Sequence, residues 1–269
     1  MITRSIPLLL IASLASSQTF AMGVPRIEIC HVPPDDPETA RTIIISEKAY
    51  EAHINHGDFD GPCSDNGGCP TEMARVDDFC IDRWEARLID QSPYAVPTDG
   101  IAVSEGLVVP QGYISQEVAD VACQNAGKRL CTSQEWLVAC QGVDGWNYPY
   151  ESDERDADAC NDFREVHPVM EVFGPTPTWS SSEINDPSLN QLEDSLDLTG
   201  ENENCVSPEG VYDLVGNLNE WVADVDGTFR GGSYVEAWVN GEGCNYLTTV
   251  HNIFYHDFSS GFRCCMSLP

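Results

Sequence analysis

Three histidines near the N-terminus have the types and spacing of a metal site. His53 and His56 lie three residues apart on one face of the predicted helix 47–56. His31 precedes them, and Asp58 follows the second by two residues. Imidazole nitrogens and carboxylate oxygens are ligands that Zn²⁺ accepts, so these four residues could bind a zinc ion.

The same stretch also fits a packed helix without a metal. Ala49 and Ala52 begin an i, i+3, i+4, i+7 spacing that the two helical histidines complete, which is typical of a buried stripe. A unit of about 40 residues needs a cross-link to be stable. A disulfide between Cys30 and Cys63 would provide it as well as a bound metal would. The sequence favours the disulfide with packed histidines, and zinc is the alternative.

Other elements are predicted further along the chain. A helix should begin at the capping serine Ser115 and stop at Gly127, with Val118, Val121 and Ala122 on one face. Thr132 and Glu135 form a capping box that opens a second helix. Strand-like and irregular stretches complete the pattern: strands at 42–45, 78–86, 228–237 and 260–265, and long polar loops over 147–199.

Five ordered motifs occupy residues 69–269. They are CIDRWE at 80–85, GKRLCTSQEW at 127–136, GVYDLVGNLNEW at 210–221, FRGGSY at 229–234 and GFRC at 261–264. This set resembles the formylglycine-generating enzyme family, also called sulfatase-modifying factors. The resemblance implies an α+β fold, a variant of the C-type lectin fold, with little regular secondary structure, many disulfides, and paired terminal strands.

The resemblance also locates a site. Enzymes of that family make a reactive aldehyde from a sulfatase cysteine, using copper held by two cysteines that lie three and eight positions after the serine of the GGSY element. Counting from Ser233 gives Glu236 and Gly241. A carboxylate and a glycine do not replace the soft thiolates that select Cu(I). We therefore expect a degenerate site, no copper and no formylglycine generation.

Two altered chemistries remain as alternatives at that site. His251 and His256 could join Glu236 in a facial metal triad if the three side chains converge. The favoured interpretation is that both histidines are hydrogen-bonded in a surface loop. No motif supplies a histidine–acid pair for Ser233, so a serine nucleophile has no support.

Calcium is the second feature that the resemblance implies. The ligands here would be the side chains of Asp213 and Glu220 and the backbone carbonyls of Gly216 and Leu218. Ca²⁺ takes six to eight hard oxygens in a flexible loop, which suits this segment. A second family site would start near Asn161 and Asp162, although its downstream half is not recognisable.

Twelve cysteines in a chain with an export signal point to disulfides. The resemblance implies two bridges, Cys123 with Cys264 and Cys140 with Cys244. Cys160 and Cys205 flank the polar loops and form a reasonable third pair.

Four cysteines remain after these assignments and the N-terminal pair, and they can pair in three ways: Cys69, Cys80, Cys131 and Cys265. Two of them could instead stay free as a relocated copper site, but structural pairing is favoured because the cysteine count is even.

The N-terminus predicts export. Residues 1–21 combine one arginine, a short apolar run and a small-residue end, as in a secretory signal peptide. No other stretch has the length of a membrane span. Residues 22–66 then form a small module, and the polar linker 64–68 leads into the main domain, 69–269. The module resembles a Cys-His-x-Pro-Pro … His-x-x-His-Gly-Asp unit of secreted bacterial proteins.

The charge limits the partners. With 44 acidic and 13 basic residues the formal net charge is −31, which excludes ordinary nucleic-acid binding because phosphate contacts need a basic face. The sequence thus predicts an exported, non-catalytic, calcium-stabilised scaffold that binds a peptide, glycan or protein. Six aromatic residues could line its surface: Trp146, Tyr148, Tyr150, Trp179, Trp238 and Tyr255. The alternatives are a metal-dependent oxidoreductase with an altered site and a structural component of a surface assembly.

Overall fold

The structure is a computed structural model that describes residues 26–33, 41–55, 57–61 and 68–268. The predicted signal peptide, His56 and Cys63 lie outside these residues. None of the helices in the described part of the chain has the length and apolarity to cross a membrane.

Short strands and helices alternate with long loops. The strands are β1 Arg26–His31, β2 Arg41–Ser46, β3 Phe59–Asp60, β4 Met73–Val76, β5 Phe79–Asp82, β6 Ala86–Leu88, β7 Ala102–Ser104, β8 Arg129–Leu130, β9 Asn219–Val222, β10 Thr228–Arg230, β11 Leu247–Thr248, β12 Ser260–Phe262 and β13 Cys264–Ser267. The α-helices are α1 Tyr50–Asn55, α2 Gln116–Asn125, α3 Ser133–Gln141, α4 Pro168–Phe173 and α5 Ser181–Ile184. Single 3₁₀ turns cover Glu47–Ala49, Leu189–Gln191 and Gly243–Asn245. This confirms the α+β class with little regular structure.

The sheets bring distant parts of the chain together. One four-stranded sheet has the order β4-β5-β13-β8, so the last strand pairs with one of the first strands of the main domain. A second has the order β11-β10-β9-β12, in which β12 runs parallel to β9. β6 and β7 form a hairpin, and the N-terminal module has its own sheet, β2-β1-β3. The chain moves from one four-stranded sheet to the other at Arg263, between β12 and β13.

Capping chemistry correctly located the two main helices. The Ser115 side chain accepts the Val118 N–H ahead of α2, and Thr132 and Glu135 form the predicted capping box of α3. Of the three residues predicted to share one face of α2, Ala122 is buried and Val118 packs against the core, whereas Val121 is 40 % exposed. The buried side chains of α2 are Gln116, Ala119, Ala122 and Cys123. The disulfide of Cys123 holds that face of the helix against the core.

Predicted strands proved shorter than the patterns suggested. The stretch 228–237 is a strand only to Arg230, because Gly231 and Gly232 adopt positive φ angles of 84° and 73° and turn the chain. The stretch 260–265 is divided at Arg263 into two strands of different sheets. The loops of 147–199 are irregular as predicted, except for α4, α5 and one 3₁₀ turn, which are too short to show a periodicity.

Disulfides tie these loops to the sheets. The bonded pairs are Cys69–Cys80, Cys123–Cys264, Cys131–Cys265, Cys140–Cys244 and Cys160–Cys205. Three of them are the pairs expected from the sequence, and the other two settle the four open cysteines. Cys30 is also disulfide-bonded, with a partner outside the described residues. Since no described cysteine is free, the relocated thiolate site is wrong for this part of the chain.

Candidate functional site

The turn that carries Ser233 requires glycine before it. A Cβ atom added to Gly232 would lie 2.5 Å from the Cα atom of Ala237, and no residue but glycine fits so close an approach at a positive φ. The Ser233 N–H donates to the Glu236 carbonyl oxygen at 3.1 Å. This turn therefore holds Ser233 and Glu236 side by side.

Tyr234 anchors the turn to the body of the domain. Its side chain is fully buried, and its hydroxyl donates to Asn190 Oδ1 at 2.9 Å. Its backbone N–H donates to the carbonyl oxygen of Asn217 at 2.9 Å. Because both ends of the residue are fixed, Ser233 and Glu236 project from a rigid support.

The Glu236 carboxylate accepts hydrogen bonds from residues of its own loop. Oε2 accepts the N–H of Val239 at 2.9 Å and that of Trp238 at 3.4 Å, while Oε1 accepts the Tyr246 hydroxyl at 3.2 Å. Burial, followed by the charge of Glu236, raises the pKa of Tyr246. A hard carboxylate held by protein donors thus stands at the first copper-ligand position of the family.

The second copper-ligand position has no room for a side chain. Gly241 has a φ of 122°, and a Cβ atom there would lie 2.5 Å from the Asn245 carbonyl oxygen. A cysteine at this position would force the backbone of one of the two segments to move. The loop as folded here therefore accommodates glycine and not a thiolate at this position.

The Ser233 turn forms one wall of an open cleft with a volume of about 440 Å³. Its lining residues are His167, Trp179, Ile184, Asn219, Ser233, Val235, Glu236, Tyr246, Tyr255, Asp257, Phe258 and Ser259. Two carboxylates and four large aromatic rings belong to this set. Lysine and arginine are missing from it, so the cleft is acidic and partly aromatic.

Asp257 is the second carboxylate of the cleft. Its Oδ1 accepts the N–H and the hydroxyl of Ser259 at 2.9 and 2.8 Å, and its Oδ2 accepts the Tyr255 hydroxyl at 2.7 Å. Burial, followed by the charge of Asp257, raises the pKa of Tyr255, so this phenol remains a proton donor. A carboxylate can accept about four hydrogen bonds, which leaves Asp257 capacity for a ligand.

His167 and Trp179 form a ring pair at the cleft that sequence patterns did not single out as a pair. Their ring centroids lie 4.9 Å apart in an edge-to-face arrangement. Burial lowers the pKa of His167, so the ring is neutral near pH 7. Its Nδ1 accepts the Val169 N–H at 3.2 Å, which leaves the ring proton on Nε2. Trp179 is 50 % exposed and adopts a left-handed φ of 56°, a strained conformation that is frequent at binding sites.

The other four aromatic candidates lie away from the cleft lining, in contrast to Trp179 and Tyr255. Tyr148 is buried and stacks on Tyr150. Trp238 packs under the Arg155 guanidinium, 4.9 Å from its ring centroid. Trp146 is half-buried.

The proposed facial triad does not form. His251 stacks on the Tyr255 ring with centroids 3.7 Å apart, and His256 Nδ1 lies 2.7 Å from Asn185 Oδ1. Burial lowers the pKa of both histidines. Within the described residues, metal-ligand atoms gather at His31, His53 and Asp58 and not around Glu236. The triad was the less favoured alternative, and both rings instead make contacts of their own, with Tyr255 and with Asn185.

Beneath the cleft, three of the sequence motifs meet at one buried ion pair. Arg263 donates to both carboxylate oxygens of Glu220, at 2.7 and 2.6 Å. The Trp136 indole N–H donates to Glu220 Oε2 at 2.8 Å. All three side chains are almost completely buried. The residues that carry the resemblance are therefore the ones that hold the core in register.

The family suggested by the sequence motifs is also the one whose model matches this chain. The model of the sulfatase-modifying factor enzyme 1-like domain matches residues 42–267. The chain belongs to this family. No curated protein matches it.

Solved structures similar to this sulfatase-modifying factor domain are distant in sequence. The structure titled CarF is 15 % identical, with 71 % of this chain and 87 % of the other covered and a TM-score of 0.43. PvdO from Pseudomonas aeruginosa is 13 % identical, with 91 % and 92 % covered and a TM-score of 0.42. The Major Tropism Determinant I1 variant is 12 % identical with a TM-score of 0.44; 74 % of this chain is covered, but only 53 % of that structure.

The calcium ligands expected from the family lie around the Glu220–Arg263 ion pair, and Glu220 is itself one of them. They do not form a coordination shell with oxygens free for a cation. Asp213 Oδ2 accepts the Gly200 N–H at 2.6 Å, whereas both oxygens of Glu220 face protein donors. Glu85 lies close by and accepts the Leu218 N–H at 3.0 Å.

Three carboxylates in this region share the single positive charge of Arg263. Burial, with the charges of Asp213 and Glu220, raises the pKa of Glu85 well above its usual range. Burial raises the pKa of Asp213 to about 7. The hard oxygens and surplus negative charge fit Ca²⁺, but Glu220 would have to share its carboxylate with Arg263.

The second calcium position lies beside a larger cavity of about 650 Å³. The Asp162 carboxylate is bound by the Arg155 guanidinium, with Nε at 2.7 Å. Asn161 Nδ2 donates to the Ser195 carbonyl oxygen at 2.7 Å. We place the candidate site in the smaller cleft because it contains the GGSY turn, whereas both arginines that line the larger cavity are engaged in ion pairs, Arg155 with Asp162 and Arg164 with Glu171.

In the N-terminal module, His31 and His53 approach the same carboxylate. The Nδ1 atoms of the two imidazoles lie 2.9 and 2.6 Å from Asp58 Oδ2. His56, the third predicted ligand, lies outside the described residues. The structure thus brings two predicted histidines together around Asp58.

Proposed function

We propose that this protein is an exported, non-catalytic member of the sulfatase-modifying factor family whose cleft binds a basic peptide segment of a partner protein. The observation that carries the proposal is the state of the two copper-ligand positions. Glu236 holds a carboxylate bonded to its own loop, and Gly241 has no space for a side chain. Chemistry based on a thiolate pair therefore has no support at this site.

The charge of the cleft favours a cationic ligand. Glu236 and Asp257 line it, and burial keeps the nearby His167 neutral. The net charge of −31 adds a long-range field of the same sign, which steers positive ligands toward the surface. A neutral glycan would gain nothing from that field, so a peptide with lysine or arginine is favoured over a glycan.

The aromatic rings supply the second part of the recognition. Trp179 offers an exposed indole face beside His167. Arginine and lysine side chains bind such faces through cation–π contacts while their charged ends reach carboxylates. A basic side chain lying between Trp179 and Glu236 would make both contacts.

The disulfides fit an extracellular location, because such bonds persist in oxidising compartments. Export through residues 1–21, the boundary between modules 22–66 and 69–269, and stabilisation by calcium all belong to this proposal. A purely structural role in a surface assembly would not need an acidic cleft with a strained tryptophan at its edge.

The proposal is tested by titrating the secreted protein with fluorescent peptides of equal length that are basic, neutral or acidic. The basic peptides should bind most tightly, with an affinity that falls as salt screens the charges. Trp179→Ala should weaken that binding about two- to thirtyfold, because a cation–π contact contributes roughly 0.5 to 2 kcal/mol. Phe254→Ala is the matched control, since Phe254 is 60 % exposed but outside the cleft lining. Equal binding of all three peptides, or of oligosaccharides alone, would overturn the choice of ligand.

A further inference from the structure

Asp58 is a buried carboxylate at the centre of the N-terminal module. It is only 3 % exposed. Besides the two histidine contacts, its Oδ1 accepts the Val32 N–H at 2.9 Å. The carboxylate is therefore fixed by a backbone donor and turned toward the two imidazoles.

The three residues come from three different parts of the module. His31 ends β1, His53 belongs to α1, and Asp58 lies in the segment that leads into β3. Anything bound between them would hold the strand, the helix and the turn together.

The described part of the module has little apolar core. Its buried hydrophobic side chains are Ile29, Cys30, Val32 and Ile45. So small a core does not hold a unit of about 40 residues without a disulfide or a metal. The disulfide of Cys30 supplies one cross-link. Other contacts must hold the helix and the segment after it in place.

We propose that His31, His53 and Asp58 bind a zinc ion. Their ligand atoms all lie within 4.8 Å of one another. In a tetrahedral zinc site the distance between two ligand atoms is roughly 3.3 Å, so the present 2.9 and 2.6 Å contacts need to open by less than 1 Å. The ion replaces the two histidine–carboxylate hydrogen bonds.

Two imidazoles and one carboxylate leave the fourth position of zinc to a further ligand. The side chains of His31 and His53 are 22 and 25 % exposed, so water can reach the ion. Three protein ligands and one exchangeable position are the pattern of open zinc sites. The position also allows a donor from a partner molecule to complete the coordination.

The test uses the untagged, secreted full chain without its signal peptide. After exchange into metal-free buffer it is titrated with Zn²⁺ against a chromophoric chelator, and bound zinc is measured by elemental analysis. We expect one zinc per chain. Asp58→Asn and His53→Gln should each weaken binding at least about 100-fold, since loss of even an outer-shell partner typically costs 10- to 100-fold. His251→Gln, a histidine of the main domain, is the matched control and should leave zinc binding unchanged.

Cobalt provides a second measurement on the unaltered protein, in case a variant fails to fold. Co²⁺ in this site should give the intense visible absorption of four-coordinate cobalt, and Zn²⁺ should displace it. Failure of the wild-type chain to bind either metal would overturn the proposal. So would zinc binding that is unaffected by Asp58→Asn, or a cobalt spectrum of six-coordinate type. The cleft lies in the other domain, so either result leaves the test of peptide binding independent.

Discussion

The guanidinium of Arg263 donates two hydrogen bonds to the carboxylate of Glu220, at 2.6 and 2.7 Å, and both side chains are buried. Arg263 also donates to the carbonyl oxygens of Asp82 and Tyr212 at 3.0 and 2.8 Å. This one side chain therefore joins the two four-stranded sheets at the point where β12 passes into β13. Glu220 directly follows Asn219, which lines the cleft.

Breaking this pair from one side should be costly. Arg263→Met leaves the Glu220 charge buried without its partner, which typically costs about 3 to 5 kcal/mol. Urea unfolding of the oxidised protein measures the change. Arg87→Met is the control, because its partner Glu105 is 47 % exposed and such surface pairs contribute about 1 kcal/mol or less. Equal effects of the two substitutions would contradict the structural role of Arg263.

The stability of the domain should fall as pH rises from about 4 to 7. Burial raises the pKa of Asp213 from 3.8 to about 7 in the folded protein. Between these values the folded state binds more protons than the unfolded state, so the free energy of unfolding decreases with pH until the folded carboxyl has ionised. Asp213→Asn should flatten the profile, which thermal unfolding at several pH values measures. A profile that is unchanged in Asp213→Asn would show that this carboxyl does not set it.

Calcium should counteract the loss of stability that accompanies rising pH. Ca²⁺ binds ionised carboxylates, so it should raise the unfolding temperature more at pH 8 than at pH 5. Removal by a chelator should reverse the effect, and Mg²⁺ at the same concentration should give little of it, because Mg²⁺ demands a stricter geometry. If Ca²⁺ leaves the unfolding temperature unchanged at both pH values, calcium does not bind here. The Glu220–Arg263 ion pair then takes the place of the calcium ion expected from the family.

Restoring the two thiols should not restore a copper site. In Glu236→Cys/Gly241→Cys the second side chain meets the Asn245 carbonyl oxygen, from which an added Cβ would be 2.5 Å away. We expect this double variant to be clearly less stable than Glu236→Cys alone and to hold Cu(I) weakly. Measurement of thermal unfolding and of copper retention compares the two. A stable double variant with tightly held copper would contradict the view that this loop has no room for a side chain at position 241.

Much of the fold could be predicted from short-range chemistry. Ser115 and the Thr132–Glu135 box locate α2 and α3, because a cap acts within one turn of the chain. The motif resemblance placed Cys123 beside Cys264 and Cys140 beside Cys244. The buried face of α2 was predicted in part: Ala122 and Val118 face the core, but Val121 is exposed, and the face also includes Cys123, whose disulfide partner Cys264 is distant in sequence.

The candidate site could be predicted only in part. Ser233 and Glu236 were located by counting from one motif, and both line the cleft. His167 and Asp257 were not, because they come from loops without periodicity and meet only in the folded chain. His251 was proposed as a metal ligand beside Glu236, but its ring stacks on Tyr255 and it does not belong to the cleft lining.

The central claim, that the scaffold binds without catalysing the family's reaction, is tested most directly by one assay. The secreted protein is supplied with Cu(I), dioxygen and a sulfatase-type cysteine peptide, and the peptide is analysed by mass spectrometry and with an aldehyde-reactive probe. The account predicts an intact thiol and no aldehyde, because a carboxylate and a glycine occupy the two ligand positions. Aldehyde formed in proportion to the protein would contradict it and would require a copper site elsewhere in the chain.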